Sequence, residues 1–242
     1  MTGSVKIVRD ALDLEFWPNF LANDAATHLF DALYCETEWR QPELTIYGRR
    51  VRIPRLTAWY GDADATYVYS GLRNEPLPWT ARLSALNRAI EDVTHGRFNS
   101  VLLNLYRNGN DHMSWHRDDE PELGPRPEIA SVSLGAARRF DLRQVPRLRG
   151  ASDKRARYGL ELTHGSLLYM RGDTQTAWEH RIPRAGGLDK PRINLTFRTI
   201  VLGSPGSPTP GGGVGERTRG AQLRSDCWRR TVTVSTGRRE WG

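Results

Sequence analysis

The sequence predicts one α+β domain built on a β-sandwich, barrel or jelly roll and followed by an unstructured tail. Three observations carry this reading: two amphipathic helical segments before residue 97, a change to period-two alternation beyond residue 98, and a Gly/Pro/Ser run after Leu202. Of the 242 residues, 38% are hydrophobic and 26% charged. That is enough apolar material for a packed core, which excludes a disordered polyampholyte and a coiled coil.

Taken in order, Met1-Thr2-Gly3-Ser4-Val5-Lys6 lacks the basic-then-apolar pattern of a secretory signal. No run approaches the roughly 20 apolar residues of a membrane span. Cys35 and Cys227 are too few for a disulfide framework or a zinc site. The expectation is a protein that is not secreted and has no membrane partner: cytoplasmic in a bacterium, nuclear in a eukaryote. Residues 22–40 predict a helix capped by Asn23 or Asp24, with Leu29, Phe30 and Leu33 on one face. A second helix is predicted at 79–94, where Leu83, Leu86, Ala89, Ile90 and Val93 recur at three- and four-residue spacing. Short strands are predicted at 98–106, 129–134, 138–142, 159–162, 166–170, 177–182 and 192–202, separated by Gly, Pro and Asp clusters. Residues 203–242 are predicted to be disordered.

The net charge of +7 needs dissection. The tail carries 7 Arg against 3 acids, so +4 of the charge lies there and only +3 in residues 1–202. What counts is clustering. Tyr47-Gly48-Arg49-Arg50-Val51-Arg52 combines a hairpin-like Gly with basic residues, and Arg55 follows closely. Arg138, Arg139, Arg143, Arg147, Arg149, Lys154, Arg155 and Arg157 place eight basic residues in twenty, opposed only by Asp141 and Asp153. Both clusters suggest contacts to a nucleic-acid backbone, the plain alternative being a solvated charged face.

The sharpest local feature is His116-Arg117-Asp118. Residues two apart on an extended segment point to the same face, so an imidazole and a carboxylate can converge on one ion. Two histidines and one carboxylate with open positions mark non-haem Fe(II) oxygenases. The remaining histidines, His28, His95, His112, His164 and His180, are the candidates for the third ligand. In Arg192-Ile193-Asn194-Leu195-Thr196-Phe197-Arg198, one face is apolar and the other presents Arg, Asn, Thr and Arg. A half-exposed strand shows the same alternation, but two enclosed guanidiniums need anions. A small dicarboxylate suits them, one carboxylate per guanidinium fork. Asn104 and Tyr106 likewise share a face.

Together, Asn104-Leu105-Tyr106, His116-x-Asp118-Asp119-Glu120, His180 and Arg192-x-Asn194-x-Thr196-Phe197-Arg198 resemble the AlkB family of Fe(II)/2-oxoglutarate dioxygenases over roughly residues 40–202. Pro54-Arg55 to Tyr60-Gly61-Asp62 and Tyr67-Val68-Tyr69-Ser70-Gly71 are similar to its duplex-DNA repair branch, the AlkB homologue 2-like proteins. The resemblance implies a double-stranded β-helix (jelly roll) core at 98–202, continuous with N-terminal helices and a nucleotide-recognition hairpin region at 1–97. It implies Fe(II) held by His116, Asp118 and His180. It implies 2-oxoglutarate as co-substrate, met by Arg198 and Asn104 near the metal and by Arg192 and Tyr106 at its distal carboxylate. Asn194 and Thr196 would line the same pocket.

The implied activity is oxidative demethylation of 1-methyladenine and 3-methylcytosine in DNA, using O₂ and releasing formaldehyde. Such a methyl is buried in a duplex, so the base must be flipped out. The resemblance puts Tyr69 and the His116 ring against the flipped base and Tyr67 and Asp119 at its polar edge. Tyr47 would be a wedge in the vacated stack, and Arg49, Arg50, Arg52 and Arg55 would hold phosphates. Arg50 stands where the animal relative has an aromatic residue, which opens the choice between single and double strands. A monomer is expected. The alternatives are RNA or protein as substrate, and a catalytically inactive nucleic-acid-binding module.

Overall fold

The computed structural model describes residues 3–46, 49–69, 72–145 and 155–201, without side-chain detail at 44–46, 67–69 and 72–74. The predicted tail, Tyr47 and the part of the second basic cluster at 146–154 lie outside the described residues.

The chain opens on a hairpin that the sequence reading did not foresee. Strands β1 (Val5–Arg9) and β2 (Leu12–Trp17) pair antiparallel around Asp10 and Ala11, both at positive φ. Two consecutive positive-φ residues match a turn whose twist suits a tight hairpin. In β2, Leu12, Leu14 and Phe16 alternate with Asp13 and Glu15. That is a period-two strand signal in a region read for helices. Helix α1 (Asn23–Glu36) follows and buries Ala26, Phe30 and Leu33. Its cap position is Ala22 rather than Asn23 or Asp24, and it receives no side-chain cap bond.

Two small hairpins come next: β3 (Glu43–Ile46) with β4 (Arg49–Arg52), and, after β5 (Leu56–Gly61), β6 (Tyr67–Tyr69) with β7 (Leu72–Asn74). After β8 (Leu77–Pro78), helix α2 (Ala81–Thr94) starts where the Thr80 hydroxyl accepts from Leu83 N–H. Its buried face is Leu83, Leu86, Ile90 and Thr94. The remaining strands are β9 (Ser100–Tyr106), β10 (Met113–His116), β11 (Ile129–Gly135), β12 (Arg138–Gln144), β13 (Arg157–Leu162), β14 (Ser166–Arg171), β15 (Trp178–Ile182) and β16 (Arg192–Arg198), with a short helix α3 (Thr174–Ala177) before β15.

These strands form an eight-stranded sheet, β1-β2-β14-β11-β16-β9-β5-β8, and a four-stranded sheet, β10-β15-β12-β13. Alternation decides which side chains go where. Leu103, Leu105, Val132, Leu134, Ile193, Leu195 and Phe197 of the large sheet pack with Phe30, Leu33, Leu83, Leu86 and Ile90 of the helices. The opposite face contributes Tyr106, Ile129, Leu168 and Met170 to a second core with Phe140, Leu142, Trp178 and Ile182 of the small sheet. This is the arrangement of a jelly-roll core with its helices on one outer face. No helix among the described residues is long and apolar enough to cross a membrane.

Candidate active site

The polar residues of the large sheet fall on the face that meets the small sheet. Register sets them in rows: Arg192 opposite Tyr106, Asn194 opposite Asn104, and, on the other neighbour, Ser133 opposite Asn194 and Ser131 opposite Thr196. The small sheet pairs His116 directly with His180. Between the sheets lies a cavity of about 50 Å³ whose walls include His116, Asp118, His180, Asn104, Thr196 and Arg198. Tyr106 and Asn194 line it too.

At one end of this cavity the ligand atoms of His116, Asp118 and His180 lie within 4.8 Å of one another. His116 Nε2 is 3.8 Å from Asp118 Oδ1, and the two imidazole centroids are 4.2 Å apart. His116 Nδ1 is 2.9 Å from the Ser114 carbonyl. A carbonyl only accepts, so Nδ1 is the donor there, and Nε2 is the ring nitrogen turned toward the carboxylate. His180 is only 4% exposed. Burial, reinforced by His116, pushes its pKa down to about 3, which keeps the imidazole neutral and able to ligate. Burial alone would raise the Asp118 carboxyl, but Arg198 and the two histidines override it and hold it below the usual range. Arg198 Nη2 donates to Asp118 Oδ1 at 3.1 Å, and Asp118 N–H donates to Gln175 Oε1 at 3.1 Å. Two imidazoles and one carboxylate, all from strands or their ends, fit an Fe(II) with open positions.

Behind the cavity wall formed by Tyr106 and Asn194 lies a buried arginine. Arg192 is fully buried and donates from Nη2 to Ser133 Oγ (2.8 Å) and Asn194 Oδ1 (2.7 Å). Its Nε and Nη1 have no hydrogen-bond partner, nor does Nε of Arg198. Burial pushes the Arg192 pKa down to about 10, with the Tyr106 phenol opposing the shift and Arg138 adding to it. Buried guanidinium N–H groups left unpaired are costly unless an anion completes them, so the cradle fits a carboxylate. Asn104 Oδ1 accepts from Arg55 Nε at 2.7 Å, which leaves the amide NH₂ of Asn104 as the group able to donate.

Two sequence expectations change here. Arg55 was assigned to phosphates, but its guanidinium is engaged with Asn104 at the cavity wall. Arg138 was assigned to a backbone-binding surface, yet it is 2% exposed and donates to the carbonyls of Asp111 (2.9 Å) and Pro183 (2.6 Å). Strand parity explains this: Arg138 shares the inner face of β12 with Phe140 and Leu142. Arg139 is exposed and pairs with Asp141. Arg143 pairs with Glu179 and stacks on Trp115, and Arg181, which pairs with Asp141, also lies over the Trp115 ring.

The residues expected at a substrate are only partly placed. Asp119 is held at 2.7 Å by Arg117 on the surface. Arg49 and Arg50 are exposed on β4, and Arg52 pairs with Glu43. Tyr67 and Tyr69 lie on the β6–β7 hairpin. Residues missed in the sequence are Ser131, Ser133 and Gln175, which orient Asn194, Arg192 and Asp118. Alternation in Ser131-Val132-Ser133-Leu134 is the same signal as in β16 and could have found the serines. Gln175, on a single helical turn, offers no such signal. A larger cavity of about 510 Å³ adjoins the first, sharing Leu102 and Arg198 with it. Its walls include Glu38, Glu75, Glu120 and Glu122 together with Trp59.

A protein-family profile described as the 2OG-Fe(II) oxygenase superfamily matches residues 13–198. The chain is 41% identical over 195 residues to human alpha-ketoglutarate-dependent dioxygenase alkB homolog 3, covering 79% of this chain and 68% of that protein. It is 43% identical over 182 residues to human DNA oxidative demethylase ALKBH2, covering 73% and 69% of the two chains. The Arabidopsis thaliana ALKBH2 protein matches at 37% over 209 residues, 78% of this chain and 67% of its own. A solved structure described as "The structure of OsALKBH1" superposes with a TM-score of 0.54 at 16% identity, covering 80% of this chain and 99% of that one, which supports the fold.

Proposed function

Because the chain belongs to the 2OG-Fe(II) oxygenase superfamily, and is thereby an Fe(II)/2-oxoglutarate-dependent dioxygenase, we propose that it demethylates 1-methyladenine and 3-methylcytosine in DNA. The observation that carries the substrate is the acid-lined cavity beside the iron cavity. Both lesions are cations at neutral pH, and Glu38, Glu75, Glu120 and Glu122 outnumber Arg40 and Arg198 in that lining, which leaves a net complementary charge. Burial in it raises the Glu120 carboxyl above its ordinary range, with Arg198 opposing and Asp118 and Asp119 adding to the shift. Two named relatives, a DNA oxidative demethylase and alkB homolog 3, support the same class.

His116, Asp118 and His180 hold the iron, and Arg198 and Asn104 meet the carboxylate next to it. Arg192 and Tyr106 meet the distal carboxylate, with Asn194 and Thr196 keeping Arg192 in place. When bound, iron with 2-oxoglutarate and O₂ supplies the hydroxylation of the N-methyl carbon, after which formaldehyde leaves. The protein's part is alignment and enclosure. Arg198 joins the two cavities, so the carboxylate it pairs with is also the one nearest the substrate. Tyr67, Tyr69 and Asp119 contact the flipped base, Tyr47 fills the gap, and Arg49 and Arg50 contact the backbone. A monomer acting where DNA resides, cytoplasm or nucleus, follows from this reading.

The test is succinate and formaldehyde release with Fe(II), 2-oxoglutarate and an oligonucleotide carrying either lesion, single- and double-stranded. Both products rising with the lesion is the expected result. Succinate without any lesion response moves the substrate to RNA or protein. No succinate under any condition overturns the enzyme.

A further inference from the structure

Two buried cations meet at Tyr106. The Arg192 and Arg138 guanidinium carbons lie 5.2 and 5.5 Å from the centre of its ring. Arg192 is bonded to a hydroxyl and an amide, and Arg138 to backbone carbonyls. Among the described residues neither has a carboxylate within ion-pair distance. The acid in closest electrical contact, Asp111, is spent on Arg107, from which it accepts three hydrogen bonds of 2.8–2.9 Å. Arg138 also keeps a buried Nε without a partner. Burying one unneutralised guanidinium is expensive, and two around one phenol ring more so.

A purely structural role accounts poorly for the second charge. Arg138 ties the 107–112 loop to Pro183, but those segments are already joined by backbone bonds. Gly109 N–H donates to Leu188 O (2.7 Å), and Ala185 N–H to Gly109 O (2.8 Å). A side chain added at Gly109 would collide with Ala185 O, so the two loops touch closely without help. A neutral donor would serve the carbonyls as well as an arginine and without the cost of a buried charge.

On the proposed assignment of Arg192 and Tyr106 to the distal carboxylate of 2-oxoglutarate, we infer that Arg138 is a specificity-determining, positioning residue of that subsite. Its charge, acting beside Arg192 through Tyr106, selects a dicarboxylic 2-oxoacid over a monocarboxylic one.

The experiment titrates the full chain, loaded with Mn(II) in place of Fe(II) so that nothing turns over. The ligands are 2-oxoglutarate and pyruvate, which shares the keto-acid end and lacks the distal carboxylate. Arg138→Gln should weaken 2-oxoglutarate roughly tenfold and leave pyruvate unchanged, the scale of one charge at this range in a low-dielectric site. Arg138→Lys should restore the preference for the dicarboxylate. Equal weakening of both ligands, or none, in folded Arg138→Gln overturns the inference. If that variant does not fold, a folded Arg138→Lys that loses the preference overturns it instead. Arg192→Gln separates the two readings: if it leaves 2-oxoglutarate binding intact, the subsite itself is misassigned. If it abolishes binding while Arg138→Gln leaves 2-oxoglutarate affinity unchanged, only the role of Arg138 falls.

Discussion

At the iron end of the cavity, Asp118 stands 3.1 Å from Arg198 beside a neutral His180, so the charges cancel before any metal arrives. Behind Tyr106 at the other end, Arg138 and Arg192 are buried with only neutral hydrogen-bond partners among the described residues. Both ends are polar and enclosed by the same two sheets. They differ in when the electrostatic cost is met. The iron end is organised in advance: its side chains are tied to one another, to Ser114 and to Gln175. The arginine end holds an uncompensated positive field that only an incoming anion relieves, which is how a site favours a doubly charged co-substrate over its singly charged analogues.

The largest effects should come from breaking the iron end. Asp118→Ala removes a ligand and strands the Arg198 charge, so turnover should fall to background. Iron measured on the purified variant should fall with it, while the thermal melt of the metal-free protein moves by only a few degrees. Retained iron would remove Asp118 from the triad.

Arg192→Met should separate the two ends. It deletes the fully buried guanidinium while roughly keeping its volume, and Asn194 Oδ1 retains a donor in Ser131 Oγ at 3.0 Å. The 2-oxoglutarate KM should rise at least about a hundredfold, as expected when one partner of a buried charge pair is removed. Yet the metal-free fold should be more stable by about 1–2 kcal/mol, because replacing unneutralised buried charge with apolar volume is commonly stabilising. In a thermal melt that is roughly 2–8 °C at this chain length. A variant that loses both affinity and stability would mean that Arg192 serves packing more than charge.

A smaller effect is expected behind the iron strands. Trp115 of β10, the strand of His116, has Arg143 of β12 (4.2 Å) and Arg181 of β15, the strand of His180 (4.5 Å), over its ring. Trp115→Leu should weaken Mn(II) affinity about tenfold, the usual scale for a residue supporting metal ligands, and leave 2-oxoglutarate selectivity alone. Unchanged Mn(II) affinity would show that hydrogen bonding and backbone pairing suffice to hold the two histidines.

The same contrast explains what could be seen in the sequence. The polar face of β16 was legible because Arg192, Asn194, Thr196 and Arg198 alternate with Ile193, Leu195 and Phe197, and period-two patterns survive in one dimension. The His-x-Asp pair was legible for the same reason. His180 could be chosen only by resemblance, since its strand lies 64 positions further on and pairing is not written in local pattern. Arg138 was misread because a count of charges along the chain ignores parity, which puts it inward with Phe140 and Leu142 while Arg139 points to solvent. The β1–β2 hairpin was overlooked although Leu12, Leu14 and Phe16 alternate cleanly with acids. The acid-lined cavity draws Glu38, Glu75 and the Glu120/Glu122 pair from three separate segments, and only the folded chain brings those together.

The smallest effect offers the most direct test of the two-ended cavity, because it uses ligands rather than mutations to load each end. Glutarate has both carboxylates of 2-oxoglutarate but no keto group, so it addresses the arginine end with little help from the metal. On the metal-free chain, glutarate at about ten times its dissociation constant should add about 1.4 kcal/mol of stability, roughly 3–6 °C in the melt. The gain should vanish in Arg192→Met and persist in Trp115→Leu. Mn(II) alone should stabilise the wild type and Arg192→Met alike, since His116, Asp118 and His180 make no hydrogen bond to the distal arginines among the described residues. If glutarate stabilises only after Mn(II) is added, the two ends are coupled, and the positive field at Tyr106 is not poised until the metal has drawn Asp118 away from Arg198.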